Sequence, residues 1–95
     1  MKKQIESFLD YLKAERNVSP HTMKAYTQDL KEFDAFVDKK PKNIDNLDIR
    51  TFLASLYHRE LKKSSISRKL ASIRSFFKYL HREGHVKSNP NPKFA

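Results

Sequence analysis

Ninety-five residues with 38% apolar content suffice for one small domain with a single modest core, and no apolar run is long enough to cross a bilayer. The absence of cysteine excludes disulfides and thiolate zinc sites, and a single glycine excludes glycine-rich phosphate loops and dinucleotide fingerprints. The net charge of +9 is unevenly placed: residues 1–60 hold eleven Lys/Arg against ten Asp/Glu, whereas residues 61–95 hold nine against Glu83 alone. A basic field confined to one part of a chain is the footprint of a polyanion-binding surface, because charge kept only for solubility is of mixed sign.

The spacing predicts an all-α domain of four helices. The first covers residues 3–16, with Ile5, Phe8, Leu9 and Leu12 on its apolar side and Glu6, Asp10, Lys13 and Glu15 outward. Its start, Met1-Lys2-Lys3-Gln4-Ile5-Glu6, lacks the apolar stretch of a signal peptide, which together with the missing cysteines leads to the expectation of a cytoplasmic protein. Asn17-Val18-Ser19-Pro20 breaks the pattern and restarts it, with Ser19 as N-cap and Pro20 in the first helical turn, where its missing N–H costs nothing. The second helix runs to residue 38 and buries Met23, Tyr26, Leu30, Phe33 and Val37. After the charged loop of residues 39–43, Asp45 caps a third helix running to residue 59, with Asp48 in its first turn and Ile49, Phe52, Leu53 and Leu56 buried. Ser64 is the expected cap of the fourth helix, and Gly84 stops it. The two Asn-Pro pairs at 89–92 resist helix, so residues 87–95 read as a linker behind a domain of residues 1–86.

The fourth helix carries most of the functional signal. Ile66, Leu70, Ile73, Phe77 and Leu80 form its apolar stripe, and about half a turn away lie Arg68, Ser72, Ser75, Tyr79 and Arg82, with Lys69 nearby. Cations neutralise phosphates and short hydroxyls permit close approach, so this face suits a DNA groove. Lys62 and Lys63, with Ser64, Ser65 and Ser67, extend it to the helix start, where backbone N–H groups can hold a phosphate. A second candidate is the start of helix two, where Ser19, His21 and Thr22 can grip a phosphate with Lys24, Gln28 and Lys31 along one side; capping alone explains Ser19 equally well. Tyr26 falls on the apolar stripe and is expected in the core. His81 and His85 are four apart, but Gly84 interrupts the helix between them and no third ligand is evident, so neither a metal nor another cofactor is expected. Tyr11, Tyr26, Tyr57 and Tyr79 have no general base or cation cluster nearby in sequence, and most carboxylates fall at helix starts or on faces beside Lys or Arg, so no catalytic residue is expected.

Three stretches together resemble the N-terminal, core-binding domain of the tyrosine recombinases, the phage-integrase and Xer-like family. Residues 5–30, with Ser19, Thr22, Tyr26, Asp29 and Leu30, look like that family's opening helix and its S-x-x-T-x-x-x-Y-x-x-D-L restart. Residues 48–54 are similar to its third helix, and residues 64–84 with Ser88-Asn89-Pro90 to its fourth helix and exit linker. The resemblance implies a four-helix, SAM-like bundle that clamps double-stranded DNA at a recombination site with its second and fourth helices. Carried over, the contacts are Ser19, His21, Thr22, Lys24 and Gln28, then Ser65, Arg68, Lys69, Ser72 and Ser75, with Lys62 and Lys63 in support. The family's catalytic domain follows this one, so the chain is expected to be a non-catalytic part of a recombinase, monomeric by itself and touching other protomers on DNA in the intact protein. The competing classes are a helical protein-interaction module, whose acidic partner would be drawn to the same basic face, and a helix-turn-helix regulator.

Overall fold

The helix boundaries follow from local chemistry. In the computed structural model, which describes residues 1–90, α1 spans Lys2–Tyr11 and its last turn widens into a π-helical turn over Leu12–Arg16. Leu12 is buried, and Asn17, at φ 47°, ends the turn in the left-handed region that Asn tolerates. α2 spans Pro20–Val37, capped by Ser19, whose hydroxyl accepts the Thr22 N–H at 3.2 Å. A 3-10 turn at Pro41–Asn43 leads to α3, Asn46–His58. A reciprocal pair starts α3: Asp45 accepts the Asp48 N–H at 2.9 Å and Asp48 accepts the Asp45 N–H at 3.0 Å.

α4 spans Lys63–Arg82 and begins earlier than a Ser64 cap allows. Leu61 packs against the core and returns its N–H to the Leu56 carbonyl, so the chain enters the helix at Lys63 with Lys62 in the capping position. At the other end the Gly84 N–H reaches His81 O and the His85 N–H reaches Leu80 O, a Schellman ending with Gly84 at φ 80°. The chain then folds back: Val86 is buried and Asn46 donates to the Pro90 carbonyl at 3.4 Å. Residues 91–95, the rest of the expected linker, lie outside the described residues. Among the described residues there is no strand, and no helix is long and apolar enough to cross a membrane.

α4 packs against each of the other three helices, so its buried arc is wider than the stripe read from spacing. Ile66, Ile73, Phe77 and Leu80 are buried as expected, Leu70 is half-buried, and Phe76 is wholly buried. Aromatic edges tie the layers together: Phe8 meets Phe76 at 5.6 Å between ring centres, and Phe33 meets Phe52 at 5.2 Å and Phe77 at 6.3 Å. Tyr79, read as part of the polar face, is half-buried against Phe8 and Tyr11. The widened arc also takes in two polar residues, Lys69 and Ser72.

Candidate nucleic-acid interface

The first turns of α2 and the exposed side of α4 face each other across a groove of about 330 Å³, lined by His21, Thr22, Ala25, Tyr26, Arg68, Ala71 and Ser72. Ala25 and Ala71 keep its walls low. Past Tyr26, a second depression of about 190 Å³ continues to Arg16, Ser75, Lys78 and Arg82, walled by Tyr11 and Tyr79. Tyr26 lines both, so its expected core position is only partial: its ring packs edge-on to Phe8 and its other side borders the groove. Neither lining contains a carboxylate.

Behind the groove, four donors converge on one buried carboxylate. Asp29 is 1% exposed. Arg68 donates to it from Nε at 3.2 Å and from Nη2 at 2.9 Å, Lys69 from Nζ at 3.2 Å, and Ser72 from Oγ at 2.9 Å. Spacing explains the convergence: residues 68, 69 and 72 share one turn of α4, and Asp29 lies opposite on α2. Lys69 also approaches Glu32 at 3.4 Å, and Glu32 reaches Arg59, the residue that caps the end of α3, at 3.6 Å, so the ion cluster ties α2 and α4 to the end of α3. The hydrogen bonds that Arg68 donates to Asp29, and then the charge of Asp29, raise the basicity of the Arg68 guanidinium, against a smaller opposing effect of burial.

The expected contact residues therefore divide into groups. His21 and Thr22 line the groove, and Lys24 and Gln28 are exposed on the turns that continue from His21. Ser19 is engaged in capping, and its hydroxyl also donates to Thr22 Oγ1 at 3.0 Å. Lys62 and Lys63 are exposed and Ser65 is half-buried at the start of α4. Arg68, with half its side chain exposed, and Ser75 border the groove. Lys69 and Ser72, at 9% and 4% exposure, donate to Asp29; spacing places Ser72 on the polar face and Lys69 beside it, and packing against α2 covers both.

No local pattern marks Arg16 as part of the site, and Lys78 and Arg82 are marked only by the helix dipole or by the basic face as a whole. Arg82 donates from Nη1 to Tyr11 Oη at 3.1 Å, and its guanidinium lies 4.6 Å from the centre of the Tyr11 ring. Hydrogen bonds from Arg82 and then Arg16 hold the Tyr11 phenol below its ordinary value, whereas burial pushes the Tyr79 phenol up. The Lys78/Arg82 spacing of four was visible in the sequence; the approach of Arg16 and Tyr11 from α1 was not.

Residues 5–84 match the family model described as phage integrase, N-terminal SAM-like domain. The chain belongs to this family. It is similar to the tyrosine recombinase XerC of Oceanobacillus iheyensis, 43% identical over 90 residues that cover 90% of this chain and 30% of that protein. It is also similar to the tyrosine recombinase XerC of Pelobacter propionicus, 45% identical over 93 residues that cover 92% of this chain and 30% of the relative. The XerC of Lacticaseibacillus casei is 43% identical over 93 residues, 93% of this chain and 31% of that protein. The chain thus spans about 30% of the length of the curated relatives it matches and holds the SAM-like domain, not a catalytic one. In this SAM-like domain, Asp29, Arg68, Lys69 and Ser72 all fall within the matched residues, so the ion cluster and the groove above it are part of the family domain.

Proposed function

We propose that this domain binds double-stranded DNA along the α2–α4 groove and serves as the DNA-holding part of a tyrosine recombinase, clamping a recombination site during DNA integration or recombination. The groove itself carries the reading: Arg68 borders it, Arg16, Lys78 and Arg82 border the second depression on the other side of Tyr26, and no carboxylate lines either. Cations in such a row neutralise successive phosphates and release their counterions. Thr22, Ser75 and Gln28 supply hydrogen bonds that set the register, and His21, Lys24, Lys62, Lys63 and Ser65 extend the surface at the starts of α2 and α4. Ser19 acts through its cap, and Lys69 and Ser72 act through Asp29, Ser72 from the groove lining itself. Binding of this kind is largely sequence-tolerant, because phosphate contacts position a protein without reading bases. The intact protein works in the cytoplasm, and its other protomers join it on the DNA.

The test is duplex affinity as a function of salt. With about five phosphates neutralised, the log–log slope is near −4.5, at roughly 0.9 per contact. A flat salt response at low ionic strength refutes the reading, and capture of an acidic protein that survives nuclease treatment favours the protein-interaction alternative.

A further inference from the structure

The Asp29 cluster does more than join helices. We propose that Asp29 is a positioning residue for Arg68, fixing the guanidinium so that one edge is presented to a DNA phosphate; this rests on the DNA-binding reading above. A guanidinium has two edges able to make paired hydrogen bonds. The edge formed by Nε and Nη2 is consumed by the two oxygens of Asp29, at 3.2 and 2.9 Å. The edge formed by Nη1 and the second Nη2 hydrogen is left for the groove, where Arg68 stands beside His21 and Thr22. The carboxylate can act as a fixed mount because its own position is over-determined. It is buried, and Lys69 and Ser72 also donate to its oxygens, at 3.2 and 2.9 Å.

Lys69 resolves a second difficulty. A lone Asp29 would cancel the charge of Arg68 and leave little attraction for a phosphate. With Lys69 on the same carboxylate, and with Glu32 facing Arg59 as well as Lys69, the five charged groups sum to one positive charge. Two of the three cations are thereby balanced by the two carboxylates, and one positive charge is left for the DNA. An exposed lysine at position 68 supplies charge alone; the forked, mounted arginine supplies charge in a set direction.

The experiment measures affinity of the full chain for an end-labelled DNA duplex by anisotropy, with circular dichroism to verify folding. The variants are Arg68→Lys, Arg68→Ala, Asp29→Asn and the double variant of the last two. Arg68→Lys keeps the charge and is expected to lose about tenfold in affinity, nearly as much as Arg68→Ala. Asp29→Asn adds a positive charge to the domain yet is expected to lose about tenfold as well, and to lose nothing further when Arg68 is already alanine. A slowly exchanging Arg68 Nε–H signal in the nitrogen-correlated NMR spectrum, lost in Asp29→Asn, accompanies the mounted state. The proposal is overturned if Arg68→Lys binds like the unsubstituted chain, because charge alone then suffices. It is equally overturned if Asp29→Asn weakens binding as much in the Arg68→Ala background, because Asp29 then serves only the fold. Should Asp29→Asn fail to fold, the Lys and Ala variants at the half-exposed position 68 decide by themselves. Loss of salt-dependent binding in the unsubstituted chain overturns the DNA reading together with this proposal, whereas intact binding with an indifferent Arg68→Lys overturns this proposal alone.

Discussion

Truncating Asp29 to alanine removes the carboxylate on which Arg68, Lys69 and Ser72 converge, and the cost can be followed donor by donor. Arg68 is half exposed and turns its guanidinium to water at little expense. Ser72 keeps the Arg68 carbonyl as an acceptor at 3.2 Å. Lys69 is the expensive partner: its ammonium is buried, and of its two counter-charges only Glu32, at 3.4 Å, remains. Removing one member of a buried ion pair costs about 3–5 kcal/mol when the other is left uncompensated, and the surviving Glu32 contact places this case at about 3 kcal/mol. For a domain of this size that corresponds to a fall in melting temperature of roughly 12–24 °C, readable by circular dichroism and checked by urea titration. Asp29→Ala combined with Lys69→Met removes both the mount and the stranded charge, so it is expected to cost less than Asp29→Ala alone. A loss below about 1 kcal/mol for Asp29→Ala, or a double variant that is simply the sum of its parts, would refute the argument that a buried charge balance joins α2 to α4.

Other consequences follow from the same geometry. Phe76→Ala, at a wholly buried ring in contact with Phe8 and Phe77, should lower stability by about 3–5 kcal/mol in urea unfolding. Charge reversal at Lys78 and Arg82 should weaken duplex binding far more than reversal at Lys2 and Lys3, which lie outside the groove; equal losses in an anisotropy titration would mean that the groove is not the docking face. Burial raises the Asp48 carboxyl, but the Asp45 N–H and the Lys39 ammonium outweigh it and hold the group below the usual carboxylate range. The stability it contributes is therefore present above its unfolded value and lost as the pH falls through the lower folded one. Asp48→Asn should flatten that part of the decline in urea midpoint between about pH 5 and pH 2.

The elements that sequence reasoning found are those governed by neighbours a few residues away. Ser19 and Pro20, the Asp45–Asp48 pair and Gly84 act within one helical turn, and each sits where its chemistry placed it. Ser64 failed as a cap because Leu61, a residue outside the helix, is held by the core and starts the helix sooner. The candidate groove was legible in outline, since residues of the second and fourth helices line it. Its interior was not, because Asp29 looked like any carboxylate on a helix face until α4 covered it.

By itself the sequence determined a four-helix chain, most of its caps, its apolar stripes and the concentration of cations in its C-terminal third, because all of these depend on spacing along one strand of peptide. Only the tertiary structure decided which cations face outward. Lys69 and Ser72 are separated from Asp29 by 40 and 43 residues, and no local period encodes that meeting. Packing α4 against three helices at once widened its buried arc, drew those two side chains inward and left Arg68, Lys78 and Arg82, with Arg16 from the end of α1, around the groove.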